Sequence, residues 1–317
     1  MKKVIIYLLS IIILTVSCTS CSVNVPTPPT TSHPTTEEIT IPQITEPPTV
    51  EMPTLAPPTI TAKCSFVYDL KNHKMIEGVN LQERIAPASI TKLLTACLAL
   101  EYFSTDESMT AGNEVFKVQP NSSLCFILPG HKLTVLDILY GLLIQSGNDA
   151  AYTIAVEVAR RANSQASMTD DEAINHFIIL MNEYARQIGM KDSQFTSPDG
   201  YDSENQFVTA EDILALALQA KKFSAISMIT GTLEKYSVFL TGETITWRNT
   251  NHFLDPQSIF YSPYVNGMKT GSTLNAGTCL LTSYNDGNFD LLIFVAGCES
   301  DESRYVATQQ LIQWAIQ

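Results

Sequence analysis

The chain predicts an α+β fold, an antiparallel sheet with flanking helices and a helical region inserted into it. Three observations predict this. β-prone runs sit at the two ends of the folded region, near residues 64–79 and 237–297. The stretch between them carries apolar residues at helical spacing. A last helical stretch closes the chain. The order strands, helices, strands, helix suits helices packed on an antiparallel sheet.

In order, Cys64 to Tyr68 is apolar and β-prone, Asp69 to Lys74 reads as a turn, and Met75 to Val79 reads as the returning strand. Ala86-Pro87-Ala88 then precedes a helical run marked by Ile90, Leu93, Leu94, Cys97, Leu98 and Leu100. Leu133 to Gly141, Ala150 to Ala162, Asp170 to Ile188 and Thr209 to Lys222 follow as helices. Strands are expected over Ser237 to Leu240, Ile245 to Arg248, Gly267 to Lys269, Gly277 to Ser283 and Phe289 to Gly297. The last two flank the turn Asn285-Asp286-Gly287. Arg304 to Gln317 closes the chain as a helix.

Bulk properties exclude several function classes. The net charge of −13 and pI near 4.8 supply no basic stripe for nucleic acid and no polybasic membrane patch. The apolar fraction of 45% is enough for a core. Residues 1–21 read as a targeting segment. Lys2 and Lys3 precede the apolar run Val4 to Val16, which is shorter than the ~20 residues of a membrane span. Leu14-Thr15-Val16-Ser17-Cys18 resembles a bacterial lipobox, which implies lipidation at Cys18. Ordinary secretory cleavage near Ser17 to Ser20 is the alternative, and a retained anchor is a third. All three place the mature protein outside the cytoplasm, in the cell envelope or secreted. Residues 22–61 form a Pro/Thr-rich linker with ten of the sixteen prolines and no Lys or Arg, too polar to bury a core. Extended, it spans on the order of 100 Å. Residues 62–317 remain for a folded domain. With Cys18 assigned to lipid, the remaining cysteines form no C-x-x-C pair or His/Cys cluster, so no metal is expected. No disulfide is expected either, because the Asp286-Gly287 turn does not set Cys279 opposite Cys298.

Three clusters carry chemistry. Ser89 and Lys92 stand three apart at a helix start, on one face. A serine hydroxyl needs a base, and Lys92 can be that base only when burial and a neighbouring cation lower its pKa by roughly 3 units. The plain alternative is an N-cap serine followed by a solvated lysine. Ser146-Gly147-Asn148 interrupts an apolar run on a loop. Ser146 can relay a proton to a leaving amine and Asn148 can donate to a substrate carbonyl. The alternative is a helix-capping turn. Lys269-Thr270-Gly271 lies on a strand. Lys269 and Thr270 can hold a carboxylate, Lys269 can depress the pKa of Lys92, and Gly271 lets a ligand approach the backbone. The alternative is an edge-strand lysine placed against aggregation.

The ordered set resembles the D-alanyl-D-alanine carboxypeptidases, the low-molecular-mass penicillin-binding proteins. The likeness is carried by Ala86 to Thr95 around Ser89, and by Leu142 to Ala151 around Ser146-Gly147-Asn148. Met181-Asn182 and Val265 to Thr273 around Lys269-Thr270-Gly271 carry the rest. It covers about residues 62–317 and implies the serine β-lactamase/transpeptidase-like fold. It also implies a serine-type carboxypeptidase that removes the terminal D-alanine from peptidoglycan stem peptides, without metal or cofactor. By the same likeness Ser89 is the nucleophile, Lys92 its base and Ser146 the proton relay. Asn148, Lys269, Thr270, Gly271 and Ser272 bind substrate, and the N–H groups of Ser89 and Ser272 form the oxyanion hole. β-Lactams are implied as covalent inhibitors. Two departures stand out. Family members often add a β-rich domain and a C-terminal anchor helix, whereas here the anchor is expected at the N-terminus. Ser197-Pro198-Asp199-Gly200-Tyr201 replaces the usual Asn-Pro-x-Gly-Leu, so the cleft wall is expected to differ.

Two other readings fit parts of the pattern. A class A-like β-lactamase needs a deacylating glutamate, and no Glu-x-x-Leu-Asn segment lies between Ala150 and Gly231. A non-catalytic β-lactam-binding surface protein would keep the clusters without turnover. A Ser-His-Asp route has no support, since no G-x-S-x-G is present. His252 is expected to border the cleft at most. Arg304 reads as a surface ion pair, with carboxylate contact as the option that the resemblance adds.

Overall fold

A computed structural model describes residues 55–163 and 167–317. The targeting segment, Cys18, Cys21 and the linker up to residue 54 lie outside the described residues.

β1 (Cys64–Asp69) and β2 (Lys74–Val79) form the expected hairpin. A 3-10 turn over Ala88–Ile90 runs into α1 (Thr91–Tyr102). A small ladder pairs β3 (Ser108–Thr110) with β4 (Lys132–Thr134). The helical region continues through α2 (Val135–Leu143), α3 (Asn148–Ala162), α4 (Asp170–Gln187), α5 (Ala210–Lys222) and α6 (Ser224–Thr230). β5 (Glu234–Val238) pairs with β6 (Thr244–Arg248). β7 (Val265–Thr273), β8 (Gly277–Asn285) and β9 (Asp290–Cys298) return to the main sheet, and α7 (Asp301–Ala315) closes the fold.

The main sheet has the order β2-β1-β9-β8-β7, antiparallel throughout, so first and last strands meet across β1 and β9. Alternation along β9 explains the layers. Leu292, Phe294 and Ala296 face the helical region, whereas Leu291, Ile293 and Val295 face α7. A strand covered on both faces is a continuous apolar run, as β9 is from Leu291 to Cys298. α1 is buried from Thr91 to Ala99 and runs through the middle of the helical layer. Three of the helix starts are fixed by threonine caps: Thr134, Thr169 and Thr209 accept from Asp137, Glu172 and Asp212 N–H groups.

The small ladder and α6 were not legible in the sequence, because three to seven residues are too few to display a period. β7 runs longer than the Gly267 to Lys269 expected, since its polar end, Thr270 to Thr273, faces a cleft and shows no apolar alternation. Cys298 faces Thr278, not Cys279.

Candidate active site

Ser89 stands in the turn before α1. Its neighbour Ala88 has φ of 47°, a left-handed conformation that is unfavourable for a residue with a Cβ. The turn buries Ala88 and Ile90 and leaves Ser89 half-buried. One helical turn on, Lys92 is 0% exposed. Its Nζ lies 2.7 Å from Ser89 Oγ and donates to the Asp199 carbonyl at 2.9 Å. The reading of Lys92 as a solvated helix lysine is therefore wrong.

The Ser197–Tyr201 segment covers Lys92. Thr95 Oγ1 donates to the Pro198 carbonyl at 2.6 Å. Gly200 has φ of 86°, and a Cβ there would stand 1.9 Å from the Ala88 carbonyl oxygen, so only glycine fits. Two amides hold the segment in place. Asn182 exchanges two hydrogen bonds with the Phe195 backbone. Gln206 accepts from Thr196 and Ser197 N–H groups and donates to the Tyr201 carbonyl. The departure from the usual wall sequence thus sits directly on the amine of Lys92.

Ser146 has φ of 62° and is 5% exposed, with its Oγ 3.0 Å from Lys269 Nζ. Asn148 is the first residue of α3, buried, and its N–H donates to Ser123 O at 2.8 Å. The adjacent Asp149 was not singled out. Its buried carboxylate accepts from the N–H groups of Cys125, Ile127 and Ala150, at 2.9, 2.9 and 3.0 Å. It fixes the 123–127 strip that flanks the loop.

β7 forms the opposite wall. Lys269 is 1% exposed, which excludes an exposed edge-strand lysine. Thr270 Oγ1 is 2.6 Å from Thr250 Oγ1, another residue the motifs missed. A Cβ on Gly271 would come within 3.1 Å of Ala88 Cβ and 3.2 Å of Ser89 N, so the missing side chain lets β7 meet the Ser89 turn. Ser272 is exposed, its Oγ bonded to the Gly271 carbonyl. Arg304 corrects an expectation. It is 4% exposed and reaches from α7 under β7, donating to Gly271 O, Ser272 Oγ and Cys279 O as well as pairing with Asp301. Spacing could not reveal this, because burial of Arg304 depends on how α7 lies on the sheet. His252 stacks on Tyr305, with ring centroids 5.1 Å apart.

Burial dominates the electrostatics. It lowers the Lys92 amine to about 8, against the pull of the Asp199 and Asp149 carboxylates. It holds Lys269 well below the ordinary lysine value too, helped by repulsion from Lys92 and Arg304. The sequence reading named burial together with the charge of Lys269 as what lowers Lys92. Burial is what lowers Lys92, with Lys269 not among the contributors, whereas at Lys269 burial comes first and the Lys92 charge second. A cavity of about 240 Å³ opens beside Ser89, lined also by Asn148, Tyr201, Asp202, Ser272 and Leu274.

All three clusters therefore converge. A half-buried hydroxyl, two dehydrated amines and a second hydroxyl meet at one sheet edge, an arrangement suited to acyl transfer through a serine ester. The chain belongs to the D-alanyl-D-alanine carboxypeptidase family, whose model matches residues 51–300. It is 29% identical to a D-alanyl-D-alanine carboxypeptidase of Bacillus subtilis, DacF, over 80% of this chain and 62% of that one. It is 30% identical to DacC of Escherichia coli, over 81% of this chain and 62% of the relative. The chain thus spans less than two thirds of the length of these relatives. The fold matches the crystal structure of a Streptomyces DD-transpeptidase with a TM-score of 0.74 and 26% identity, covering 82% of this chain and 99% of that one. It matches penicillin binding protein 5 from Haemophilus influenzae with a TM-score of 0.69 and 28% identity, over 82% and 72% of the two chains.

Proposed function

We propose that this protein is a serine D-alanyl-D-alanine carboxypeptidase that trims the terminal D-alanine from peptidoglycan stem peptides. The observation that carries the reading is the 2.7 Å approach of a fully buried Lys92 amine to Ser89 Oγ. Neutral Lys92 takes the hydroxyl proton as Oγ attacks the carbonyl carbon between the two D-alanines. The N–H groups of Ser89 and Ser272 hold the oxyanion, donors worth roughly 3 to 4 kcal/mol each in comparable sites. The proton passes by way of Ser146 to the amine of the departing D-alanine. Lys269 and Thr270 hold its carboxylate. Asn148 donates to the peptide, and Gly271 leaves room for it. Water then cleaves the ester and frees Ser89.

β-Lactams acylate the same oxygen in this reading. The family, the fold and the order of the clusters support it. Residues 62–317 form the catalytic domain, residues 22–61 the tether, and the site of action is the cell envelope. Anchoring through lipid on Cys18 is supported by the lipobox-like Leu14 to Cys18. The test is release of D-alanine from diacetyl-L-lysyl-D-alanyl-D-alanine. The wild type releases it and Ser89→Ala does not. No release by the wild type, with rapid turnover of a chromogenic cephalosporin instead, would replace this reading by a β-lactamase.

A further inference from the structure

Two buried carboxylates act on the Lys92 amine, Asp199 in the covering segment and Asp149 on α3. Among the described residues neither forms an ion pair. They are not equivalent. Asp149 has both oxygens bonded, to three backbone N–H groups and the Cys125 thiol. Asp199 receives two donors, Ser197 Oγ and Tyr201 N, both on Oδ1, and its Oδ2 has none. Asp199 is also tied to Lys92 by its own backbone, since its carbonyl accepts from Nζ at 2.9 Å. Bond lengths then keep its carboxylate within about 8 Å of the amine. The residue is 1% exposed, so water and salt screen little of that charge. Asp199 stands at the position that the Asn-Pro-x-Gly-Leu pattern leaves open, so the pattern itself does not require an acid there.

We propose that Asp199 is a positioning residue that sets the proton affinity of Lys92, and with it the pH range in which Ser89 is acylated. This rests on the carboxypeptidase reading. As Ser89 Oγ bonds to the carbonyl carbon, its O–H bond breaks and the proton moves to the Lys92 nitrogen. A buried ammonium forms, and the Asp199 carboxylate stabilises it. Burial pulls the amine down to about 8, and Asp199 comes first among the groups that hold it up, ahead of Asp149 and Cys125. The other groups around the pair are Lys269 on β7, Arg304 beyond it, and Tyr152 on α3, whose phenol is raised by burial and by Asp199. A higher proton affinity makes the amine a stronger base and leaves less of it neutral at low pH. The carboxylate therefore favours acylation on the alkaline side and slows it on the acid side.

The test is the pH profile of the acylation rate constant with benzylpenicillin, by stopped flow, for the wild type, Asp199→Asn and Asp199→Glu. Asparagine keeps an acceptor for Ser197 Oγ and Tyr201 N and removes the charge. The midpoint of the Asp199→Asn profile is expected about one pH unit below that of the wild type. Below about pH 7 its rate constant is expected to exceed the wild type's by about threefold. Its plateau at high pH is expected to fall by a similar factor, because a less basic amine takes the proton less readily. The two profiles therefore cross, whereas loss of a merely structural contact would lower the rate at every pH. Asp199→Glu keeps the wild-type midpoint. A midpoint unchanged in a folded Asp199→Asn, or moved as far in Asp199→Glu, would overturn the proposal and leave the carboxypeptidase reading intact. If Asp199→Asn does not fold, Asp199→Ser is the second uncharged variant, with the same expectation. If neither folds, the carboxylate supports the fold rather than the base, and the proposal falls as well. A wild type that is not acylated at any pH would overturn both.

Discussion

Lys92 hydrogen-bonds to one hydroxyl and one carbonyl in a place closed to solvent. Its lowered pKa has two consequences. The folded state releases the proton near pH 8, the unfolded chain near 10.5. Between these values the unfolded chain binds more protons, so stability rises with pH through that window, and the full penalty is present below about 8. The shift corresponds to roughly 3 kcal/mol. Lys92→Met should therefore raise the melting temperature near neutral pH, and the gain should shrink toward pH 10 or so, as thermal melts would show. Acylation by penicillin needs the neutral amine, so its rate constant should climb as pH rises through about 8 and then level off. A rate independent of pH across that range would contradict the assignment. The spacing of Ser89 and Lys92 was visible in the sequence. The burial was not, because the cover comes from Ser197–Tyr201, a distant segment whose own path is set by Asn182 and Gln206.

At the scale of elements, two close approaches assemble the site. The Ser197–Tyr201 segment meets the Ser89 turn through Gly200, and β7 meets it through Gly271. Gly200→Ala forces a methyl group into the Ala88 carbonyl at positive φ. It should destabilise the fold by about 2 kcal/mol or more and slow penicillin labelling, measured by denaturant unfolding and gel fluorescence. Arg304 ties α7 to three oxygens of β7 and β8. Arg304→Leu leaves those oxygens short of a donor and should reduce the acylation rate about tenfold or more, with Arg304→Lys recovering part of it, in stopped-flow labelling. Long elements were legible because their periods run over many residues. β1, β2 and α3 to α5 lie within a few residues of expectation. β7 was underestimated where it turns polar, and that polar end lines the cleft.

For the whole molecule, the sheet order carries the function. Chain ends pair across β1 and β9, and the helical region between them brings Ser89 and Ser146 to the β7 edge. The antiparallel sheet and its inserted helices followed from the order of patterns along the chain. The convergence of three clusters did not follow from any one of them, since each alone fits a cap, a turn or an edge strand. Ahead of the fold, metabolic labelling with a fatty acid should mark the wild type and not Cys18→Ala. Label retained in the variant would remove the proposed anchor.

The central claim is that Ser89 becomes the acylated atom because Lys92 removes its proton. Intact-mass spectrometry after exposure to benzylpenicillin near neutral pH tests it most directly. One penicilloyl adduct is expected per wild-type chain, none on Ser89→Ala, and none on a folded Lys92→Ala. A full adduct on Lys92→Ala, formed as fast as on the wild type, would contradict it.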